Sequence, residues 1–243
     1  MLARLNQYLA KNTGISRRQA DELIAKSKVK INGVIATLGQ KVDEEKDVVE
    51  MVEKWATKKI DAQKDTESTI LFYKPIFCLT TRKDPQKRKT IYDFLPHQYH
   101  NLKPAGRLDY MSEGLLIMSN NGNLINELTH PKYESDKRYI VGLNQPLTSH
   151  QIAQASSGKM EIDEYEINPV IITELSSTAR AKFDYLGLDK KLSWYHFELS
   201  EGRNNQIRKM CEFFNKKVVR LIRSKQGDYE LDSQLYKSKF FEI

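Results

Sequence analysis

A polar stretch over residues 54–68 divides this 243-residue chain into a short and a long part. The stretch carries many charged residues and few large apolar ones, which is typical of a linker or a loosely held strand connection. On both sides of it the apolar residues recur at regular spacings that predict packed secondary structure. We therefore expect a first domain over residues 1–50, a linker over 51–68 and a second domain over 69–243.

The short part contains signals for two helices and a hairpin. Leucines at helical spacing predict a first helix that ends at Thr13-Gly14, and Ser16 with Gln19 three residues later predicts a capping box on the second. An alternating segment then meets Asn32-Gly33, a dipeptide typical of tight hairpin turns. The pattern indicates a helix–helix–hairpin unit near the lower size limit for independent folding.

The long part is rich in short strands. Strands are expected at 70–73, 115–118, 139–143, 170–174, 179–183, 194–199 and 218–222, and helices at 124–128, 149–156 and 205–214. Because the strands and helices do not alternate regularly, the pattern favours an α+β fold with a mixed or antiparallel sheet.

The positive charge is concentrated in two blocks. The net charge of the chain is +7; residues 1–41 carry eight Lys/Arg against two acids, residues 42–68 five against nine, and residues 203–225 eight against one. Two cationic surfaces on separate units favour a polyanionic partner, although a solvated charged face would produce the same composition.

No apolar run approaches the roughly 20 residues that a membrane-spanning helix needs, and the N-terminus lacks the continuous apolar segment of a secretory signal. The two cysteines, Cys78 and Cys211, lie far apart and lack metal-site spacing, which favours reduced thiols. We expect a cytoplasmic protein with no membrane partner.

The first domain has a recognisable basic pattern. Ser16-Arg17-Arg18 places two guanidinium groups at a helix start, where free backbone N–H groups already favour phosphate. Together with Arg4 and the apolar positions through Asn32-Gly33, this pattern resembles the small RNA-binding domain named after ribosomal small-subunit protein four. The resemblance spans about 45 residues. It implies that Arg4, Arg17 and Arg18 contact RNA.

A second pattern runs from Gly106 through Arg107-Leu108-Asp109 to Gly122. It places a basic and an acidic residue on a tight loop beside a buried strand. A rigid strand of this kind can hold a catalytic carboxylate in a fixed position. The Arg-Leu-Asp triplet alone favours a structural ion pair or a turn-forming aspartate over a catalytic one. The longer string resembles the catalytic-aspartate motif of the pseudouridine synthases that modify ribosomal RNA, and it implies that Asp109 is the catalytic residue.

Two further segments match the same family in order. Residues 128–141 resemble the motif that supplies an active-site tyrosine, here Tyr139, which would stack on the target base and help to move the ring-carbon proton. Residues 201–223 resemble the motif that supplies a basic residue, here Arg208, with Ile207 and Leu221 as apolar walls. We expect Arg208 to pair with Asp109, and the alternative is that it binds RNA phosphate. The chain departs from the family at Ser112, Asn120-Asn121 and Asn205, which affects RNA contacts more than the reaction.

The resemblance implies conversion of uridine to pseudouridine, an isomerisation that needs no redox partner. No cofactor is expected, which agrees with a sequence lacking a Gly-rich phosphate loop and a His/Cys metal motif. Arg107 would help to fill the space that a flipped uridine leaves, and Arg203 would bind the RNA backbone. The expected partner is ribosomal RNA or a pre-ribosomal particle, and the expected state is a monomer.

Alternatives remain for the RNA that is the substrate and for the class of protein. Residues 74–96 most resemble the enzymes that act on the large ribosomal subunit, with a small-subunit target as the next choice and transfer RNA as a substrate of some relatives. A protein that binds RNA in ribosome assembly without catalysing a reaction would share the fold. An aspartate-based hydrolase is disfavoured because no second carboxylate accompanies Asp109 at a recognisable spacing.

Overall fold

The structure, a computed structural model, describes residues 2–52, 57–60 and 67–243. The chain forms two compact units, an N-terminal unit of residues 1–66 and a C-terminal unit of residues 67–243. No helix within the described ranges combines the length and the apolar character that a membrane span requires. Cys78 and Cys211 are free and buried.

The N-terminal unit has two helices and two small sheets. Its strands and helices are β1 (Leu2–Arg4), α1 (Leu5–Thr13), α2 (Arg17–Ala25), β2 (Val29–Ile31), β3 (Val34–Ile35), β4 (Lys41–Asp43), β5 (Val49–Val52) and β6 (Thr57–Ile60). The predicted capping box is confirmed: Ser16 Oγ accepts from the Gln19 N–H, and Gln19 Oε1 accepts from the Ser16 N–H. The predicted hairpin is confirmed as β2 and β3 around Asn32-Gly33.

The first unit extends past the boundary predicted at residue 50. Strand β5 runs to Val52, and β6 pairs with it antiparallel, so the sheet order is β3-β2-β5-β6. Ile60 is buried at the end of β6, and its carbonyl accepts a hydrogen bond from the Tyr8 hydroxyl. The lysines of β6 are exposed, which is why this strand looked like a linker in sequence. Residues 53–56 and 61–66 of the predicted linker lie outside the described residues, and residues 67–68 belong to the second unit.

The C-terminal unit is built on a nine-stranded mixed sheet, which confirms the predicted α+β fold. Its central order is β13-β14-β10-β15-β9-β7-β17, in which β9 and β15 are parallel and the other pairs are antiparallel. The strands are β7 (Thr69–Lys74), β8 (Lys103–Pro104), β9 (Glu113–Ser119), β10 (Lys137–Leu143), β13 (Ile171–Glu174), β14 (Ser193–Leu199), β15 (Val218–Gln226), β16 (Tyr229–Glu230) and β17 (Phe240–Glu242), with a separate hairpin of β11 (Glu161–Ile162) and β12 (Tyr165–Glu166).

Five helices accompany this sheet among the described residues: α3 (Gly122–Thr129), α4 (Ser149–Ser156), α5 (Ser177–Ala181), α6 (Gln206–Phe213) and α7 (Ser233–Ser238). The strand predicted at 179–183 is wrong. Ser176 Oγ accepts from the Ala179 N–H, and this N-cap starts α5 where apolar spacing alone favoured a strand.

Both faces of the central strands are buried. In β9, Leu115 and Ile117 pack into one cluster, and Leu116 and Met118 pack into another on the opposite face. This follows from the two-residue period of side chains along a strand. A strand that is covered on both faces is a rigid support for the loop that enters it, and that loop carries Asp109.

Candidate active site

A cavity of about 260 Å³ opens in the C-terminal unit. The loop before β9, the start of α6 and the strands β10 and β15 contribute most of its lining. The lining residues are Gly106, Arg107, Leu108, Asp109, Ser112, Thr129, Lys137, Tyr139, Leu199, Gly202, Arg203, Asn204, Asn205, Gln206, Ile207, Leu221, Arg223 and Gln226.

A fully buried lysine fixes the loop that carries Asp109. Lys74, at the end of β7, has no exposed surface. Its Nζ donates to the carbonyls of Asp109 (3.0 Å), Ser112 (2.7 Å) and Pro75 (3.0 Å). Burial lowers the pKa of Lys74 to about 8, and the nearby Cys78 and Asp109 act against that shift. Because the ammonium supplies three donors to three carbonyls, it sets the path of the loop.

A threonine fixes the same loop one residue earlier. Thr80 Oγ1 donates to the Leu108 carbonyl at 2.8 Å, and it lies 3.2 Å from the Leu108 N–H, which donates to it. Leu108 itself is buried. The Asp109 side chain is half-buried and lines the cavity. Its backbone is thus held on both sides while its carboxylate faces the open space.

A buried arginine, Arg223, lines the cavity together with Asp109. Arg223 is 2% exposed, its Nε donates to the Leu115 carbonyl at 2.8 Å, and its Nη2 has no hydrogen-bond partner. Burial lowers the pKa of Arg223, whereas Tyr139 and Asp109 act in the opposite direction. Tyr139 lies directly opposite Arg223 in the pairing of β10 with β15. The structure therefore brings a carboxylate, a phenol and a buried cation to one wall.

The direct pairing predicted between Arg208 and Asp109 is absent from the described part of the chain. Arg208 donates through Nη1 to the Val218 carbonyl (3.1 Å) and through Nη2 to the Met111 carbonyl (2.8 Å). It does not line the cavity. Burial lowers the pKa of Arg208, and the charge of Asp109 opposes that change. The guanidinium is thus committed to backbone carbonyls, one of them two residues beyond Asp109, so it supports the loop from outside the cavity.

The other predicted residues of this unit meet at the cavity. Ile207 and Leu221, each 5% exposed, line it as apolar walls, and the exposed Arg107 and Arg203 lie at its lining. Arg203 also forms an ion pair with Glu201 at 3.1 Å. Within the described ranges no three His, Cys, Asp or Glu side chains gather where they could hold a metal ion.

The remaining predicted RNA contacts lie in the N-terminal unit. Arg4 is the N-cap residue of α1, and Arg17 and Arg18 begin α2. All three side chains are exposed, and the first turn of α2 contains no acidic residue. This helix start therefore combines free backbone N–H groups with two guanidinium groups, an arrangement that suits a phosphate.

Sequence comparison identifies the family. The model of the RNA pseudouridylate synthase family matches residues 68–213, and the S4 domain model matches residues 3–49. The chain belongs to the RNA pseudouridylate synthase family. The synthase match covers β7 through α6 and therefore includes the Asp109 loop and Tyr139.

Several relatives resemble this synthase over most of its length. The ribosomal large subunit pseudouridine synthase B of Bacillus subtilis (strain 168) is 34% identical, covering 91% of this chain and 84% of the relative. That of Vibrio vulnificus (strain CMCP6) is 30% identical, covering 100% and 72%. A solved structure described as a pseudouridylate synthase is 27% identical, with a TM-score of 0.65 and coverage of 99% and 95%.

Sequence reasoning missed three buried polar residues of this synthase. Lys74 looked like the polar end of a strand, and Arg223 looked like part of a basic surface. Gln226, fully buried, donates to the carbonyls of Ala105 (3.1 Å) and Leu128 (3.3 Å). The sequence did contain a signal for them, which was a charged or amide residue at the end of an otherwise apolar strand. A polar residue in such a place is buried when its N–H groups find hydrogen-bond acceptors.

Proposed function

We propose that this synthase isomerises a uridine of large-subunit ribosomal RNA to pseudouridine. The observation that carries the proposal is the grouping of Asp109, Tyr139 and Arg223 around one cavity in a member of this family. The names of the relatives from Bacillus subtilis and Vibrio vulnificus support the large subunit as the target. The protein would act in the cytoplasm as a monomer, on ribosomal RNA or a pre-ribosomal particle.

The reaction exchanges one bond from the sugar for another. The bond from C1′ to N1 of uracil breaks, the base turns, and a bond from C1′ to C5 forms; C5 then gives up its proton and N1 gains one. No electrons are gained or lost overall. Asp109 would start the exchange as an anion, either by attacking the sugar or by removing a proton from it. Arg223 and Arg208 would compensate its charge from two sides once a bound base excludes water.

The cavity walls suit a detached base. Tyr139 would stack on the uracil and assist transfer of the C5 proton, directly or through water. Ile207 and Leu221 would keep bulk water from the base while it is free of the sugar. Each of these side chains lies on a strand or at a helix start, which restricts its movement during the turn of the base.

The exposed arginines would bind the rest of the RNA. Arg107 lies two residues before Asp109 and would enter the space that the flipped uridine leaves. Arg203 would contact backbone phosphate at the lining of the cavity, and Arg4, Arg17 and Arg18 would do so from the S4 domain. Binding should therefore weaken steeply with salt.

Carbodiimide mapping of pseudouridine in ribosomal RNA tests the proposal. Cells that lack the gene should lose one large-subunit signal, and the intact gene should restore it, whereas a gene encoding Asp109→Asn should not. An unchanged pattern in both subunits contradicts the enzyme activity on ribosomal RNA. Loss of a small-subunit signal would contradict the target but not the reaction.

A further inference from the structure

Phe77 has an unusual backbone conformation and an exposed ring. Its φ is +59°, and it is the only aromatic residue outside the usual negative-φ regions in the part of the chain that the structure describes. A bulky side chain is strained at such an angle, where glycine and asparagine are the ordinary occupants. The ring is 51% exposed, so burial gives little compensation for the strain. Strained residues of this kind concentrate at binding and catalytic sites.

Phe77 is hydrogen-bonded to the loop that carries Asp109. Its N–H donates to the Tyr110 carbonyl at 2.7 Å, and its ring meets the Tyr110 ring edge-on with centroids 5.6 Å apart. Tyr110 directly follows Asp109. The neighbours Ile76 and Met111 are 39% and 46% exposed. The contact between Phe77 and Tyr110, with their chain neighbours Ile76 and Met111, is here called the aromatic ridge, and it begins one residue from Asp109.

Positive charge lies beside the aromatic ridge. Residues 82–89 contain five Lys/Arg and one acid, Asp84. Asp84 pairs with Arg88 at 2.9 Å, and the Arg88 guanidinium lies 5.9 Å from the centroid of the Tyr110 ring. Exposed aromatic rings flanked by cations are the arrangement by which proteins bind unpaired nucleotides, since the rings stack on bases and the cations bind phosphates.

We propose that Phe77 stacks on the nucleobase next to the target uridine. When a uridine leaves its stack, the neighbouring base exposes one face, and an aromatic ring that packs against the residue after Asp109 can cover it. The inference rests on the proposed function, because it takes the flipped nucleotide to be the occupant of the cavity. It explains why a large ring stands at a strained position: the ring contributes in the complex rather than in the free protein.

Phe77→Gly separates this role from a structural one. Glycine relieves the strain at φ +59°, so the variant should melt at an unchanged or higher temperature. Its Kd for a short fluorescein-labelled oligouridylate, measured by anisotropy, should nevertheless rise by about tenfold, the range of one base–aromatic stack. Phe77→Tyr should bind like the parent. Phe213→Ala removes an aromatic residue of similar exposure, 56%, whose ring contacts Phe214 and not the loop that carries Asp109; it is the matched control and should not change Kd.

A double-mutant cycle, which combines the Phe77→Gly variant with modified RNA, tests the contact without relying on the fold of one variant. The probe is a stem-loop carrying the mapped uridine, with an abasic nucleotide placed in turn at each flanking position. For the parent protein, one abasic position should weaken binding by about tenfold, and for Phe77→Gly the same position should have little further effect.

The outcomes separate this inference from the proposed function. If the parent protein forms pseudouridine but no abasic position is coupled to Phe77, or if Phe77→Gly binds RNA as tightly as the parent, the stacking role is wrong and the enzyme assignment stands. A parent protein that binds RNA with the predicted coupling but forms no pseudouridine would overturn the proposed function alone.

Discussion

At the scale of single residues, the site depends on buried charges whose hydrogen bonds go to the backbone. Lys74 and Arg223 are almost completely buried, and each uses donors on main-chain carbonyls of the Asp109 loop or of β9. Such groups are costly to bury and costly to leave without a partner. Their presence in the unit indicates that the position of Asp109 is fixed before RNA binds.

Asp109→Asn should abolish turnover, by roughly a thousandfold or more, because the amide provides neither a nucleophile nor a base. The backbone around it is held by Lys74 and Thr80, so folding and RNA affinity should be largely unchanged. Single-turnover kinetics and anisotropy binding measure the two effects. Equal loss of both would show that the carboxylate is structural.

Lys74→Met should lower the free energy of unfolding by about 2 kcal/mol or more, because the carbonyls of Asp109 and Ser112 lose their donor in a buried place. The rate of isomerisation should fall as well, since the loop loses its anchor. Urea unfolding and single-turnover rates measure both. Lys103→Met, at an exposed lysine, is the control and should have neither effect.

The pKa of Lys74 gives a pH dependence with a defined sign. Its folded value of about 8 lies below its usual value of 10.5, so the unfolded chain binds more protons between these pH values. This residue therefore makes folding more favourable as pH rises through that window. The neutral amine, however, has only two N–H donors for three carbonyls. The rate of isomerisation should therefore decline above about pH 8, while circular dichroism shows that the protein stays folded. If the protein unfolds over the same pH range in which activity is lost, this role of Lys74 is wrong.

At the scale of elements, one parallel strand pair builds the site. Strands β9 and β15 run parallel at Glu113 and Gly114, which brings Arg223 to the loop that precedes β9. Arg220 of the same strand pairs with Glu113 at 2.6 Å and donates to the Leu186 carbonyl. The two strands are thus joined by backbone hydrogen bonds and by a largely buried ion pair at the start of β9.

Gly114→Ala should reduce the free energy of unfolding by about 3 kcal/mol or more. Its φ is +108°, and an added Cβ would lie 2.4 Å from the Arg223 carbonyl oxygen, so β9 and β15 would have to separate. Gly122→Ala is the control, since nothing lies within 4 Å of its added Cβ and it stands in a helix, where alanine is favoured. Comparable urea midpoints for the two variants would contradict this role of Gly114.

At the scale of the whole molecule, the cavity lined by Asp109 and the S4 domain belong to separate units. Each has its own cluster of buried apolar residues, and the division falls after residue 66 rather than after residue 50. A protein that reads RNA with one unit and modifies it with another gains affinity from the first without changing the chemistry of the second.

A chain of residues 67–243 should therefore fold, keep its single-turnover rate at saturating RNA and bind RNA more weakly. The slope of log K against log salt should fall by roughly 0.7 to 0.9 for each RNA phosphate that Arg4, Arg17 and Arg18 neutralise in the full chain. Salt titrations of both chains measure this. An insoluble product would show that the second unit does not fold alone. An unchanged salt slope would show that Arg4, Arg17 and Arg18 do not bind RNA phosphate.

The sequence by itself determined the local features. The Ser16 capping box, the Asn32-Gly33 turn and the apolar strand at 115–118 follow from propensities that act within a few residues, and the ordered motifs were enough to indicate the family. The strand predicted at 179–183 failed because the local N-cap at Ser176 outweighs the apolar spacing and starts a helix.

Only the tertiary structure decided which cations serve the cavity. Lys74, Arg208 and Arg223 look alike in sequence as basic residues near strand ends or on a helix. Their roles depend on which carbonyls come within reach when β7, β9 and β15 are side by side, and those hydrogen bonds join residues 35 to 108 positions apart. Hydrogen bonding of a buried charge is a property of the packed sheet, so Arg223 and not Arg208 reaches the wall that Asp109 shares with Tyr139.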